Sequence, residues 1–141
     1  MDDRLILRIG SKILIPFILL FALYVQFHGD YGPGGGFQAG VIFAAGFVLY
    51  ALVYGLENVK KVLPPKVAYV CSALGVLIYA GVGYVTMALG ANYLDYDVLA
   101  SYPKDGQHYG VLLIELGVLV TVFGVMVSLF YAFAGRGRMR T

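Results

Sequence analysis

Glu115 is the residue most out of keeping with its surroundings. It stands in the apolar run 109–133, about six residues in, and so roughly 9 Å from the nearer end of that run at 1.5 Å per residue. A carboxylate in such a setting must face water, meet a partner or carry a proton. Its neighbours on adjacent turns, Val111, Leu112, Val118 and Leu119, are all apolar, so a partner has to come from another element. His108 lies seven residues earlier, about 20° away in helical angle, which puts both groups on one face two turns apart. Two titratable groups so placed suit a water-linked proton path. The alternative is that Glu115 hydrogen-bonds another helix and only fixes packing.

The second unusual stretch is His28-Gly29-Asp30-Tyr31-Gly32-Pro33-Gly34-Gly35-Gly36-Phe37-Gln38. Each Gly disfavours helix by about 1 kcal/mol relative to Ala, so three in a row serve something other than helix formation. Glycine allows backbone conformations and close approaches that a Cβ forbids. Ahead of a helix, such a loop exposes backbone N–H groups at the positive end of the helix dipole. That end could hold an anion, a water chain or a carboxylate from a neighbouring subunit. A plainer role is a tight turn letting the flanking segments pack closely, with Gly36-x-x-x-Gly40 as the contact patch. It is not a phosphate loop, because no Gly-Lys-Ser/Thr follows.

Other chemistries find no support. His28 and His108 have Asp30 and Asp105 nearby in sequence, but one carboxylate–histidine pair (Asp105 and His108, i and i+3) falls short of the three or four protein ligands a metal site takes, so no metal site is expected. Cys71 falls within an apolar run and reads as a small packing residue. No nucleophile–histidine–carboxylate arrangement has convincing spacing, so neither intrinsic catalysis nor a cofactor is expected. The 12 Tyr and 9 Phe suit interfacial belts and core packing.

These residues need elements to hold them, and the composition says which kind. The chain has 141 residues, 60% hydrophobic and 13% charged, with a mean hydropathy of +0.82. Soluble domains are about 45–50% apolar and roughly 25% charged. An ordinary cytosolic enzyme, a disordered chain and a nucleic-acid-binding domain are thereby excluded. A membrane span needs roughly 20 apolar residues, and four such spans fit. They are expected at about 6–27, 37–56, 67–89 and 109–133, as one integral membrane domain over 1–141. Arg8 and Lys12 near the first span's start can snorkel to the headgroups. A basic start followed by an apolar run also fits a signal peptide. No small-x-small cleavage site follows it, so a retained span is expected. Long runs without strict alternation favour helices over barrel strands, giving an all-α fold. Glu57, Asn58, Lys60, Lys61 and Pro64-Pro65 break the pattern after the second span. The stretch Tyr93–Gln107, with Asp95, Asp97, Pro103, Lys104 and Asp105, reads as a solvated loop.

Charge sets the orientation. Arg4, Arg8, Lys12, Lys60, Lys61, Lys66, Arg136, Arg138 and Arg140 fall on one side of such a bundle, nine of the ten basic residues; only Lys104 falls on the other. The positive-inside rule then makes both termini cytoplasmic. Gly110, Gly117 and Gly124 form a stripe 140–180° around the last span from Glu115, by the geometry of about 100° per residue. A helix asking for close packing on one face and polar surroundings on the other suits a subunit of something larger.

The run Pro33-Gly34-Gly35-Gly36-Phe37-Gln38-Ala39-Gly40, closing one span and opening the next, resembles the B subunit of multisubunit Mrp-type Na+/H+ antiporters, the MnhB domain. The resemblance extends over the whole chain: basic start, four spans, basic loop and Glu115-Leu116-Gly117-Val118. Family members often carry Gly-His where this chain has Gly29-Asp30, and Gly where it has Ala39. The resemblance implies an accessory subunit in the cell membrane that supports assembly and the ion pathway. Glu115, His108, His28 and Asp30 are then the pathway candidates. The implied partners are other subunits of a hetero-oligomeric complex and the lipid bilayer, with Na+ and H+ as transported ions and no nucleic acid. The family also supplies a subunit to membrane-bound hydrogenases, so the equivalent role in a redox complex stands as an alternative. A third possibility is an autonomous small channel or structural membrane protein.

Overall fold

The structure, a computed structural model, describes residues 3–29 and 34–136. It is all-helical: α1 (Asp3–His28), α2 (Gly36–Tyr54), α3 (Leu56–Val62), α4 (Pro65–Ala88) and α5 (Pro103–Arg136). Among the described residues, four of these helices, all but α3, are long and apolar enough to cross a membrane.

Two elements depart from expectation. The charged break after the second span contains α3, a helix of seven residues. Gly55, at φ 94°, ends α2 and lets the chain restart; Asn58 caps the α2 carbonyl of Tyr54 at 2.7 Å. Glu57 in the first turn of α3 and Lys60 and Lys61 in the last complement its dipole. Leu63 precedes a proline, which disfavours helix and closes the element. Second, α5 begins at Pro103 rather than at 109, because Pro suits a first helical turn as well as a loop. A 3-10 turn at Tyr96–Leu99 folds back over it.

The long helices form a row in the order α1, α2, α5, α4. α2 and α5 run parallel, matching Gly36 to Glu115, Gly40 to Leu119, and Phe43 to Phe123. α4 runs antiparallel to α5, with Ala68 and Ser72 at Gly124 and Gly75 at Gly117. α1 is antiparallel to α2: Ser11 hydrogen-bonds the Tyr54 hydroxyl, and Leu19 packs at Gly46. The start of α1, α3 and the end of α5 therefore share one end of the row, with Arg4, Arg8, Lys12, Lys60, Lys61, Lys66 and Arg136. Lys104 lies at the other end. Arg138 and Arg140 fall outside the described residues.

At the basic end, Val59, Leu63, Ala68, Phe123, Val127 and Tyr131 form the main buried cluster, and Cys71 packs against it. The Tyr131 hydroxyl donates to the Leu63 carbonyl at 2.7 Å in a buried setting. Tyr131→Phe leaves that carbonyl unpaired, at a cost of about 1–3 kcal/mol. A lower melting temperature of the purified protein is expected, with no change in helix content. An unchanged midpoint would mean the bond adds nothing to holding α3 against α5.

Candidate functional site

The two unusual features of the sequence meet in space. Glu115 comes from the first half of α5, and its side chain runs to the junction where α1 ends and α2 begins. A Cβ placed on Gly29 would lie 3.0 and 3.1 Å from the two carboxylate oxygens of Glu115. One placed on Gly35 would lie 3.3 Å from the first of them. Glu115 itself is partly buried.

Each described glycine of the triplet has its own reason. Gly34 sits against the end of α1, where a Cβ would come 2.8 Å from the Val25 carbonyl. Gly35 caps α2 at φ 127°, ψ 175°, a conformation essentially confined to glycine. In that conformation its N–H donates to the Val25 carbonyl at 3.2 Å, and its own carbonyl accepts from Ala39 at 3.1 Å. Gly36 begins α2 directly on α5, where a Cβ would overlap the Glu115 backbone carbonyl. The result is a carboxylate set against Gly29 and Gly35, with the Gln38 side chain also near Gly35, beside the positive end of a 19-residue helix. A negative charge so placed gains about 0.3–1 kcal/mol from the helix dipole.

This geometry revises two expectations. The carboxylate facing the glycine loop belongs to this chain rather than to a neighbouring subunit. Gly36-x-x-x-Gly40 is a close-contact patch, but against α5: a Cβ on Gly40 would come 2.8 Å from the Leu119 carbonyl. α1 and α2 meet closely further along, at Gly46, where a Cβ would lie 2.9 Å from Leu19.

On the opposite face of α5, Gly117 and Gly124 pack on α4. A Cβ on Gly117 would lie 2.9 Å from the Gly75 carbonyl, and one on Gly124 2.6 Å from the Ser72 amide nitrogen. Gly110 is covered by the Tyr96 ring. Both faces of α5 thus find neighbours within the chain, and this helix alone no longer argues for a larger assembly.

The other candidates are more scattered. His108 is exposed, two turns from Glu115 on α5 and beside Tyr109. His28 stacks on Tyr24 with ring centroids 5.1 Å apart. Together with Phe21 and Phe27 it lines a cleft of about 800 Å³ on the exposed side of α1. Phe37 points outward, 61% exposed. Asp30 and Pro33 lie outside the described residues.

One residue of this region carried no expectation from the sequence. Gln26, on α1 one turn before Gly29, is 1% exposed, and neither its Nε2 nor its Oε1 has a hydrogen-bond partner. A carboxamide inside an apolar span is a signal, but one easily passed over beside the neighbouring histidine and glycines.

Residues 6–128 match the family described as "Domain related to MnhB subunit of Na+/H+ antiporter". Among curated proteins, the chain is similar to "Putative antiporter subunit mnhB2" of Staphylococcus aureus (strain Newman), at 31% identity over 137 residues. That alignment covers 95% of this chain and 96% of the relative. The protein of the same name from Staphylococcus haemolyticus (strain JCSC1435) is 32% identical over the same length and shares of each chain.

Proposed function

The chain belongs to the family of domains related to the MnhB subunit of Na+/H+ antiporters, and on that premise we propose that it is an accessory membrane subunit of a multisubunit Na+/H+ antiporter. The observation that carries this is a family match running from the first span well into the last, with four helices fit to cross a membrane among the described residues. The whole chain acts as one integral unit in the cell membrane, bound to other subunits of the complex. It has no catalysis or cofactor of its own. Everted membrane vesicles test this. Deleting the chain is expected to abolish Na+-driven proton movement while the remaining subunits are still made, and restoring it to recover activity. Purification of the chain alone as a stable homo-oligomer, with transport intact in its absence, would contradict the assignment.

Within the complex, both termini face the cytoplasm. The basic end of the row supports this, since Lys and Arg collect on that side of a membrane. A cysteine placed at Asp97 is expected to react with an impermeant reagent added to intact cells, and one at Lys61 not to. Labelling at Lys61 alone would invert the orientation.

Glu115 lies on the ion path, with His108 at its outer mouth and His28 and Asp30 as the further pathway residues. Support comes from the cradle. Gly29 and Gly35 stand against the carboxylate, and the Gln38 side chain of α2 lies near Gly35 as well. The distance of His108 from the carboxylate makes its role the weaker one. His108→Ala is expected to give a milder loss of antiport than any change at Glu115.

A further inference from the structure

α1 turns one stripe inward, marked by Ser11, Ala22, Val25 and Gln26. Ser11 is satisfied, donating to the Arg8 carbonyl and reaching the Tyr54 hydroxyl. Gln26 is not, and an amide buried with neither atom bonded is destabilising unless something pairs with it. Its position limits what that can be. Val25, just before it, packs with Ala39 of α2 and Leu119 of α5. Gly29, one turn later on the same face, stands against the Glu115 carboxylate. The carboxamide therefore ends in the seam of α1, α2 and α5, about one helical turn from Glu115. At 1% exposure, neither a lipid nor a side chain of another subunit can reach it. The species that pairs with it has to be small. A cation would satisfy Oε1 and be repelled by the adjacent N–H groups, whereas water both accepts from Nε2 and donates to Oε1.

We propose that Gln26 is a positioning residue that orders water on the inner side of Glu115. The inference rests on the ion-path role of Glu115 proposed above. The ordered water takes the proton leaving the Glu115 carboxyl oxygen and gives up one of its own along the seam, ending unchanged. Gln26 itself gains and loses nothing.

The test uses the intact complex with Gln26→Leu, Gln26→Met and Glu115→Gln. Leu and Met keep the volume and remove a buried polar group whose desolvation the ordered water only offsets, so the melting temperature should hold or rise. Antiport should nevertheless fall at least tenfold. The Glu115 carboxyl stretch, assigned by its loss in Glu115→Gln, should shift as its hydrogen-bonding changes. A residue that serves only structure would show the reverse, with stability and activity falling together and the band unmoved. Wild-type transport and an unmoved band in either assembled variant, alongside an inactive Glu115→Gln, would overturn the role of Gln26 and leave that of Glu115 standing. A fully active Glu115→Gln would overturn both. A variant that transports normally only when Na+ is raised would show a cation at Gln26, and would also overturn the proposal.

Discussion

Gly36→Ala is expected to cripple the complex, although it adds a single methyl group. The added Cβ would land on the Glu115 backbone carbonyl, which belongs to a helix and cannot swing aside as a side-chain tip would. α2 and α5 must therefore move apart, at a cost of about 1–3 kcal/mol for overpacking. That movement also withdraws Gly35 from the Glu115 carboxylate, so the change should lower both complex yield and antiport. Gly35→Leu should do as much for a different reason, since φ 127° is strained for any side chain. Gly81→Ala is the control. It lies within α4 with nothing within 4 Å of the added Cβ, and alanine favours helix there by about 1 kcal/mol. Blue-native gels and vesicle antiport assays on the three variants would separate these cases. A Gly36→Ala complex with the yield and activity of the Gly81→Ala one would show that α2 and α5 do not cross as closely as described.

The spans were legible because lipid leaves a helix few options: about 20 apolar residues with their backbone bonds satisfied internally. α3 was not legible, because Glu57, Lys60 and Lys61 are as apt for a solvated loop as for a short helix with matched ends. Only the burial of Val59 and Leu63 against Phe123 and Tyr131, residues far along the chain, makes it helical. The start of α5 was hidden by Pro103, Lys104 and Asp105, which fit a polar first turn and a loop equally well. At the site, Glu115 and the glycine run each stood out by residue type. Their meeting did not, because it joins residues about eighty positions apart through the parallel packing of α2 on α5. Spacing within one helix put His108 and Glu115 on one face. It could not show that Glu115 stands against glycines just after α1 and just before α2. Gln26 stayed unmarked because its significance lies in having no partner, which only packing reveals.

The larger expected effect is at Glu115. A carboxylate in an apolar span is costly to hold, so a neutral residue there should be easier to insert. Gln keeps the size and hydrogen-bonding capacity of the side chain and removes only its ability to take up and release a proton. Glu115→Gln should therefore assemble normally. If the group serves only packing, Gln should transport like the original, while Glu115→Ala would loosen α5 from the cradle. If the carboxylate relays protons or steadies a passing cation, Gln leaves the cradle intact and removes its function. Loss of at least tenfold in rate corresponds to about 1.4 kcal/mol of barrier, well within what one proton-transferring group contributes. The decisive measurement is Na+-driven proton movement across everted vesicles carrying equal amounts of assembled wild-type and Glu115→Gln complexes, taken over a range of pH. A tenfold or greater loss, or a displaced pH profile, at unchanged assembly is the result predicted. Full antiport with an unchanged pH profile would contradict it.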